Sequence, residues 1–287
     1  MKRNLKAPLA VVAAIAVLMM SAGVGLSQGA ANTSTHAGVS TATQSAGAVG
    51  ANGLAPTVTA GTCHAQAKVP LGTAGNFRVL AGTTVTNTGL TVVKGNLGVS
   101  PGSAVTGFPP GIVKGAIQKA DKAAAQAQLY LVAAYNDAMG RTNCARSVAG
   151  NIGGETLTPG LYRSTSSLAI SSGDLTLTAN GHSGAVFIFQ VVSKLTVTSG
   201  RHVILAGGAL ASNIYWVVGS SASLGTTSIM YGNILAHKSI SMATGAVLNG
   251  RALANIGAVT MEGNTVASVS TPPATVTSSP VVARHLT

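Results

Sequence analysis

Through the C-terminal half of the chain, short runs that are apolar on both faces, but for Gln190, take turns with runs that alternate apolar and hydroxyl residues. The first kind comprises Val186-Phe187-Ile188-Phe189-Gln190, Ile214-Tyr215-Trp216-Val217-Val218, Ile234-Leu235-Ala236 and Ala252-Leu253-Ala254. A strand apolar on both faces must be covered on both faces. The second kind comprises Lys194-Leu195-Thr196-Val197-Thr198, Ser221-Ala222-Ser223-Leu224, Ser239-Ile240-Ser241-Met242 and Ala258-Val259-Thr260-Met261. Period two predicts Leu195, Val197, Ala222, Leu224, Ile240, Met242, Val259 and Met261 inward, with mostly hydroxyls on the other face. A third, weaker run follows in each unit, around Val203-Ile204-Leu205, Ile229-Met230-Tyr231, Val247-Leu248 and Thr265-Val266.

The order of the three strand types recurs about every twenty residues, from starts near Ala185, Asn213, Asn233 and Arg251, and such a period is the signature of a solenoid. Three strands per turn predict a mainly β fold, a right-handed parallel β-helix of triangular section. A β-sandwich is the competing architecture; it seldom repeats strand types in a fixed order around a lone long helix.

Upstream, Phe77 to Val105 shows strand-like runs such as Phe77-Arg78-Val79-Leu80 and Leu90-Thr91-Val92-Val93, broken by Gly82, Gly89, Gly95 and Gly98. After Phe108-Pro109-Pro110-Gly111 the pattern changes. Ile112 to Met139 is rich in Ala and Gln, holds Gly115 as its one internal glycine and stops at Gly140, which predicts a single long helix with Gly140 at its C-cap. Such a helix would be roughly 40 Å long. Ile117, Ala120, Ala124, Ala127, Leu131 and Tyr135 fall on one side of it, an Ala-rich stripe suited to lying along a stack of strands.

The ends read differently. Lys2, Arg3 and Lys6 precede the apolar stretch Ala7 to Leu26 and the small residues Gly29-Ala30-Ala31, so residues 1–31 are expected to be a signal peptide; an uncleaved membrane anchor is the alternative. Residues 32–62, nearly all Gly, Ala, Ser and Thr, are expected to be a flexible linker, residues 63–269 the folded domain and residues 270–287 a disordered tail. Cys63 and Cys144, in an exported protein, read as one disulfide, with two unpaired cysteines as the alternative.

Composition narrows the function. Of 287 residues 46% are hydrophobic and only 3% aromatic, which suits thin, repeated layers of Val, Ile, Leu and Ala. Charged residues make up 8%, against about 25% in an ordinary globular protein, so most of the surface is uncharged and rich in hydroxyls. Lys plus Arg outnumber Asp plus Glu by 17 to 5, yet Lys68, Arg78, Lys94, Arg163, Lys194, Arg201, Lys238 and Arg251 are scattered, with no basic run interleaved with aromatics, so nucleic acid is not an expected partner. Asp121, Asp137, Glu155, Asp174 and Glu262 offer no paired carboxylates on one strand face. His36, His64, His182, His202, His237 and His285 are isolated, so neither an enzyme nor a metal or other cofactor is expected.

Several segments match a known family in order. They are Leu71-Gly72-Thr73-Ala74-Gly75-Asn76-Phe77, Val79-Leu80-Ala81-Gly82, Gly95-Asn96-Leu97-Gly98-Val99-Ser100-Pro101-Gly102 and Val105-Thr106-Gly107-Phe108-Pro109-Pro110-Gly111. Further matches are Ala133-Ala134-Tyr135-Asn136-Asp137, Leu157-Thr158-Pro159-Gly160-Leu161-Tyr162, Ala185-Val186-Phe187-Ile188-Phe189-Gln190, Gly232-Asn233-Ile234-Leu235-Ala236 and Asn249-Gly250-Arg251-Ala252-Leu253-Ala254. From about Val69 to Ser268 the chain resembles the microbial ice-binding proteins of bacteria, archaea, fungi and algae. The resemblance implies a discontinuous β-solenoid with a helix alongside, and a secreted, monomeric protein whose partner is the ice surface.

The expected contact residues are Thr196, Thr198, Ser221, Ser223, Ser239, Ser241, Ala258 and Thr260, on the outward face of the alternating strands, with Lys194 and Glu262 at the rim. Members of the family carry a Thr-Ala/Gly-x-Thr/Asn pattern on the ice face. Here Thr244-Gly245-Ala246-Val247 keeps the first half and Thr198-Ser199-Gly200-Arg201 departs further, which implies moderate activity. The alternative is a non-catalytic structural or adhesive module attached to a cell envelope or matrix.

Overall fold

The computed structural model describes residues 65–268, all within the compact unit Val58–Thr287. The expected signal peptide, linker and tail, together with Cys63, lie outside the described residues. Cys144 is not a free thiol.

The described chain winds into a three-sided stack of parallel strands with one long helix, α1 (Lys122–Gly140), beside it. The buried strands Phe187–Val191 and Ile214–Val218 pair in register, Phe189 with Trp216, and Trp216 continues to Ile234 and Ala252 on the next coils. This is the helix side. The alternating strands form a separate eight-stranded sheet, the hydroxyl side. Short strands such as Leu175–Thr178 and Val203–Ala206 make the third side. In the coils after Ile214 the third side runs without a break into the helix side: Ile229–Ala236 and Val247–Ala254 are single eight-residue strands.

Successive coils do not follow the chain. The coil made by Val247–Ala254 and Val259–Glu262 receives the N-terminal coil on its far edge, where Val79 pairs with Ala252 and Thr86 with Thr260. The coil beginning with Asn96–Val99 stacks beyond that. The stack therefore starts at Arg146–Ser147, grows to Thr265–Ala267 and ends on residues 77–119. The helix is the return path, and at ~28 Å it runs most of the length of the stack.

That topology corrects the expected helix boundaries. Ile112 to Lys119 are not helical: Ile112–Val113 pairs with Val92–Val93, and Ile117–Lys119 pairs with Leu97–Val99. Ile112, Val113 and Ile117 are β-branched and Gly115 interrupts any helix, and pairing with the preceding coil satisfies the backbone groups of these segments. Ile117, placed on the helix stripe from sequence, is an exposed strand residue, and Ala120 is in the left-handed region at φ 48°. Asp121 then starts the helix, its carboxylate accepting the Ala124 N–H at 2.8 Å. Gly140 is the last helical residue and Arg141 is the C-cap.

Two apolar clusters hold the stack. Inside the triangle, Leu195, Val197, Ala222, Leu224, Ile240, Met242, Val259 and Met261 are all buried, as the alternation requires. Tyr162, Phe189 and Trp216 stack on three successive rungs, with ring centroids 5.0 and 4.0 Å apart, and each such pair adds about 0.5–1.5 kcal/mol beyond its buried area. Outside the triangle, Ala127, Leu131, Ala134 and Ala138 of α1 pack on Ile188, Tyr215, Val217, Leu235 and Leu253. The Gln190 side chain rises from the same face and donates to the carbonyls of Ala138, Met139 and Arg141 at 2.8, 3.1 and 2.7 Å. It satisfies the carbonyls that a helix C-terminus leaves over.

Candidate functional site: the hydroxyl side

With α1 covering the helix side, two sides of the triangle face solvent, and their chemistry differs. On the hydroxyl side, register pairing strings the outward residues into a straight column: Asn151, Ala169, Thr196, Ser223, Ser241, Thr260, Thr86 and Thr106. Neighbours along the column are about 4.8 Å apart. The last six of these residues, from Thr196 to Thr106, bear hydroxyls on consecutive rungs. Ser223, Ser241, Thr260 and Thr106 are exposed, whereas Thr196 and Thr86 are half-buried. Ser241 Oγ donates to Ser223 Oγ at 3.3 Å, the reach that adjacent rungs allow.

Four of the eight expected residues, Thr196, Ser223, Ser241 and Thr260, thus share one column. Ser221, Ser239 and Ala258 lie two residues earlier, at the border toward the helix side. There Ser221 Oγ accepts the Ser239 N–H at 3.3 Å and Ser239 Oγ accepts the Ala258 N–H at 3.2 Å. These two hydroxyls brace one rung against the next. Thr198 lies at the opposite border, where its Oγ1 donates back to the Ile170 carbonyl at 3.2 Å. Lys194 and Glu262 are exposed at opposite borders, and Glu262 accepts from Thr244 Oγ1 at 3.0 Å.

The two imperfect family motifs fall at a corner. Gly200 and Gly245 have φ of 68° and 71°, and Gly263 and Gly89 take the same left-handed turn at 59° and 78°. Thr227 holds the equivalent place at φ 56°, donating its N–H to the Thr244 carbonyl at 3.0 Å. Thr244 is therefore a corner residue, and Val247 begins the third side.

Reasoning from sequence missed Thr86 and Thr106. The alternation Thr84-Val85-Thr86-Asn87-Thr88 carries the right signal, but nothing local reveals that residues 84–106 stack after Thr260.

The third side is less uniform. Ile229, Val247, Thr265, Val92 and Ile112 point outward in one column. The same column begins with His202, which bridges to Ile229. Asp174 sits beside it, accepting the His202 N–H at 2.9 Å, with Arg201 at 3.8 Å. This side combines branched aliphatics with a charge cluster. Among the described residues, no group of three His, Cys, Asp or Glu side chains could hold a metal ion, and no helix is long and apolar enough to cross a membrane.

Residues 79–267 match the family model described as ice-binding-like. An ice-binding protein of Nostoc sp. (strain HG1) is 48% identical over 199 residues, covering 69% of this chain and 73% of that one. The crystal structure of an ice-binding protein from an Antarctic biological consortium superposes with a TM-score of 0.70 at 57% identity, covering 70% of this chain and 91% of that one. A structure of an Arctic yeast ice-binding protein, described for its antifreeze activity, gives a TM-score of 0.66 at 31% identity, over 72% of this chain and 96% of that one.

Proposed function

This chain belongs to the ice-binding-like family, and from that premise we propose that it adsorbs to ice through the hydroxyl side. The observation that carries the reading is the run of hydroxyl residues on six consecutive rungs, Thr196, Ser223, Ser241, Thr260, Thr86 and Thr106. Rungs repeat at about 4.8 Å, and outward residues along one strand at about 6.6 Å. A grid of hydroxyls and methyls at those spacings orders water near the spacing of ice. Because the scaffold is already rigid, adsorption costs little further ordering.

The contact residues proposed are Thr196, Thr198, Ser221, Ser223, Ser239, Ser241, Ala258 and Thr260, extended by Thr86 and Thr106. Ser221 and Ser239 serve mainly to hold the rungs in register. In the border column that Thr198 starts, Gly225, Ala243 and Glu262 follow on the next three rungs without a hydroxyl, and Lys194 stands at the opposite border, which fits moderate activity. The protein acts as a secreted, non-catalytic monomer: residues 1–31 direct export, residues 32–62 are a linker ahead of the domain, and Cys63 pairs with Cys144.

The test is ice recrystallisation inhibition by the purified protein at micromolar concentration, beside Thr86→Tyr and Thr106→Tyr. The parent holds grain size down and both variants lose much of that effect at unchanged fold. Unaltered ice growth by the parent would overturn ice adsorption. Full activity in both variants would confine the contact to the C-terminal coils.

A further inference from the structure

At the corner where the third side turns into the helix side, two arginines occupy neighbouring rungs. Val79 pairs with Ala252, so Arg78 lies beside Arg251. Like charges directly opposite each other on parallel rungs repel. Yet among the described residues neither guanidinium pairs with a carboxylate: the ion pairs formed are Arg141 with Asp137, and Arg201 and His202 with Asp174. Arg251 is anchored, its Nε donating to the Gly75 carbonyl at 2.9 Å and its Nη1 to Asn233 Oδ1 at 2.7 Å. Arg78 is not anchored in this way. Its Nη1 is shut off from solvent and has no hydrogen-bond acceptor.

Both arginines line an open cavity of about 180 Å³, together with Leu210, Ala211, Ser212, Asn249, Gly250 and Ser268. The cavity thus has two cations, with hydroxyl and amide groups on the remaining walls. Burial lowers the pKa of both guanidinium groups, and Arg78 lowers that of Arg251 further, to about 10. The electrostatic field in the cavity is therefore uncompensated and positive. Gly95 contributes from the next coil, because a Cβ there would meet the Arg78 side chain at 2.6 Å.

We propose that this corner is a binding site for a small oxyanion of the phosphate or sulfate class, held between Arg78 and Arg251. The anion compensates the two positive charges and cancels the repulsion between the two rungs. It lies on a different side of the triangle from the hydroxyl columns, so occupancy stabilises the fold without touching the ice contact.

The experiment is thermal unfolding of the full chain, titrated with inorganic phosphate against chloride at matched ionic strength, for the parent, Arg78→Met and Arg163→Met. Arg163 is an exposed arginine on another coil. The parent and Arg163→Met should show a saturable rise in Tm with phosphate, as ligand linkage requires. Loss of a charge-assisted contact should weaken apparent affinity in Arg78→Met about tenfold or more. In chloride alone Arg78→Met should unfold at or above the parent's Tm, since repulsion is relieved. That baseline also reports that the variant folds. A phosphate response that does not saturate, or one of equal size in Arg78→Met, overturns the site. So does an Arg78→Met baseline well below that of the parent, which would make Arg78 a structural residue.

Discussion

Replacing Ser241 by Tyr places a bulky group at the middle of the hydroxyl column, between Ser223 and Thr260. Ser241 is exposed, and its one side-chain partner is Ser223 Oγ at 3.3 Å, so the fold should shift by no more than about 0.5 kcal/mol. Tyrosine also suits an outward strand position. The effect on adsorption is of another order. Eight rungs and three columns make a surface of roughly 34 by 13 Å, built on a ladder that cannot bend around an upright ring. Lifting the rungs on either side removes three of the six hydroxyl positions from contact. At about 0.5–1 kcal/mol for each net hydrogen bond, the loss is about 1.5–3 kcal/mol, or roughly ten- to a hundredfold. The assay is the lowest concentration that arrests ice recrystallisation, with Leu129→Tyr on the exposed outer face of α1 as control. A Ser241→Tyr protein that keeps the parent's Tm and arrests recrystallisation at the parent's concentration would refute the assignment of this side.

Gly250→Ala should be strongly destabilising, because a Cβ at Gly250 would stand 1.7 Å from the Gly232 carbonyl oxygen on the neighbouring coil. A backbone shift across that corner costs roughly 3 kcal/mol, read as a lower denaturant midpoint. Gln190→Leu strands the carbonyls of Ala138, Met139 and Arg141; the cost is about 1–3 kcal/mol, with faster amide exchange confined to the last turn of α1. Unfolding should be cooperative although the fold is repetitive, since Thr86 on Thr260 and Val79 on Ala252 join the two ends of the described chain. Trp216 fluorescence and far-ultraviolet circular dichroism should therefore give coincident urea transitions, and separated ones would show that the coils melt piecemeal.

What could be read from the sequence follows from what is local. The alternation at Leu195-Thr196-Val197 or Ile240-Ser241-Met242 assigns inward and outward residues without knowledge of any partner, and every inward residue so assigned is buried. The doubly apolar strands likewise announce a cover, and α1 provides it. Two things were not legible. Ile112 to Lys119 run without a break into the Ala-rich helix segment but are held as strands by Val92 and Leu97, partners from the preceding coil. The junction of Thr86 with Thr260 joins residues far apart in the chain, and it alone brings Thr86 and Thr106 into the candidate site.

That junction also bears on why the hydroxyl side can act as one surface. A parallel sheet left to itself twists, and extended untwisted stacks need ladders of side chains to hold them. Here the inward face supplies an unbroken apolar ladder from Leu168 through Leu195, Ala222, Ile240 and Val259 to Val85. The border supplies a polar one, Ser221 to the Ser239 N–H and Ser239 to the Ala258 N–H. Each fixes the register of a rung against its neighbour, and a slip of one residue would turn the hydroxyls inward. The N-terminal coils add Thr86 and Thr106 at the end where the C-terminal repeat stops, lengthening the column by two rungs on a template already in register. Since a multipoint contact gains only from groups that need no ordering on binding, those two rungs are worth more on the end of a braced stack than the same hydroxyls would be on a loop. The α1 return, which releases residues 77–119 to cap the C-terminal coils, is in this sense part of the surface it never touches.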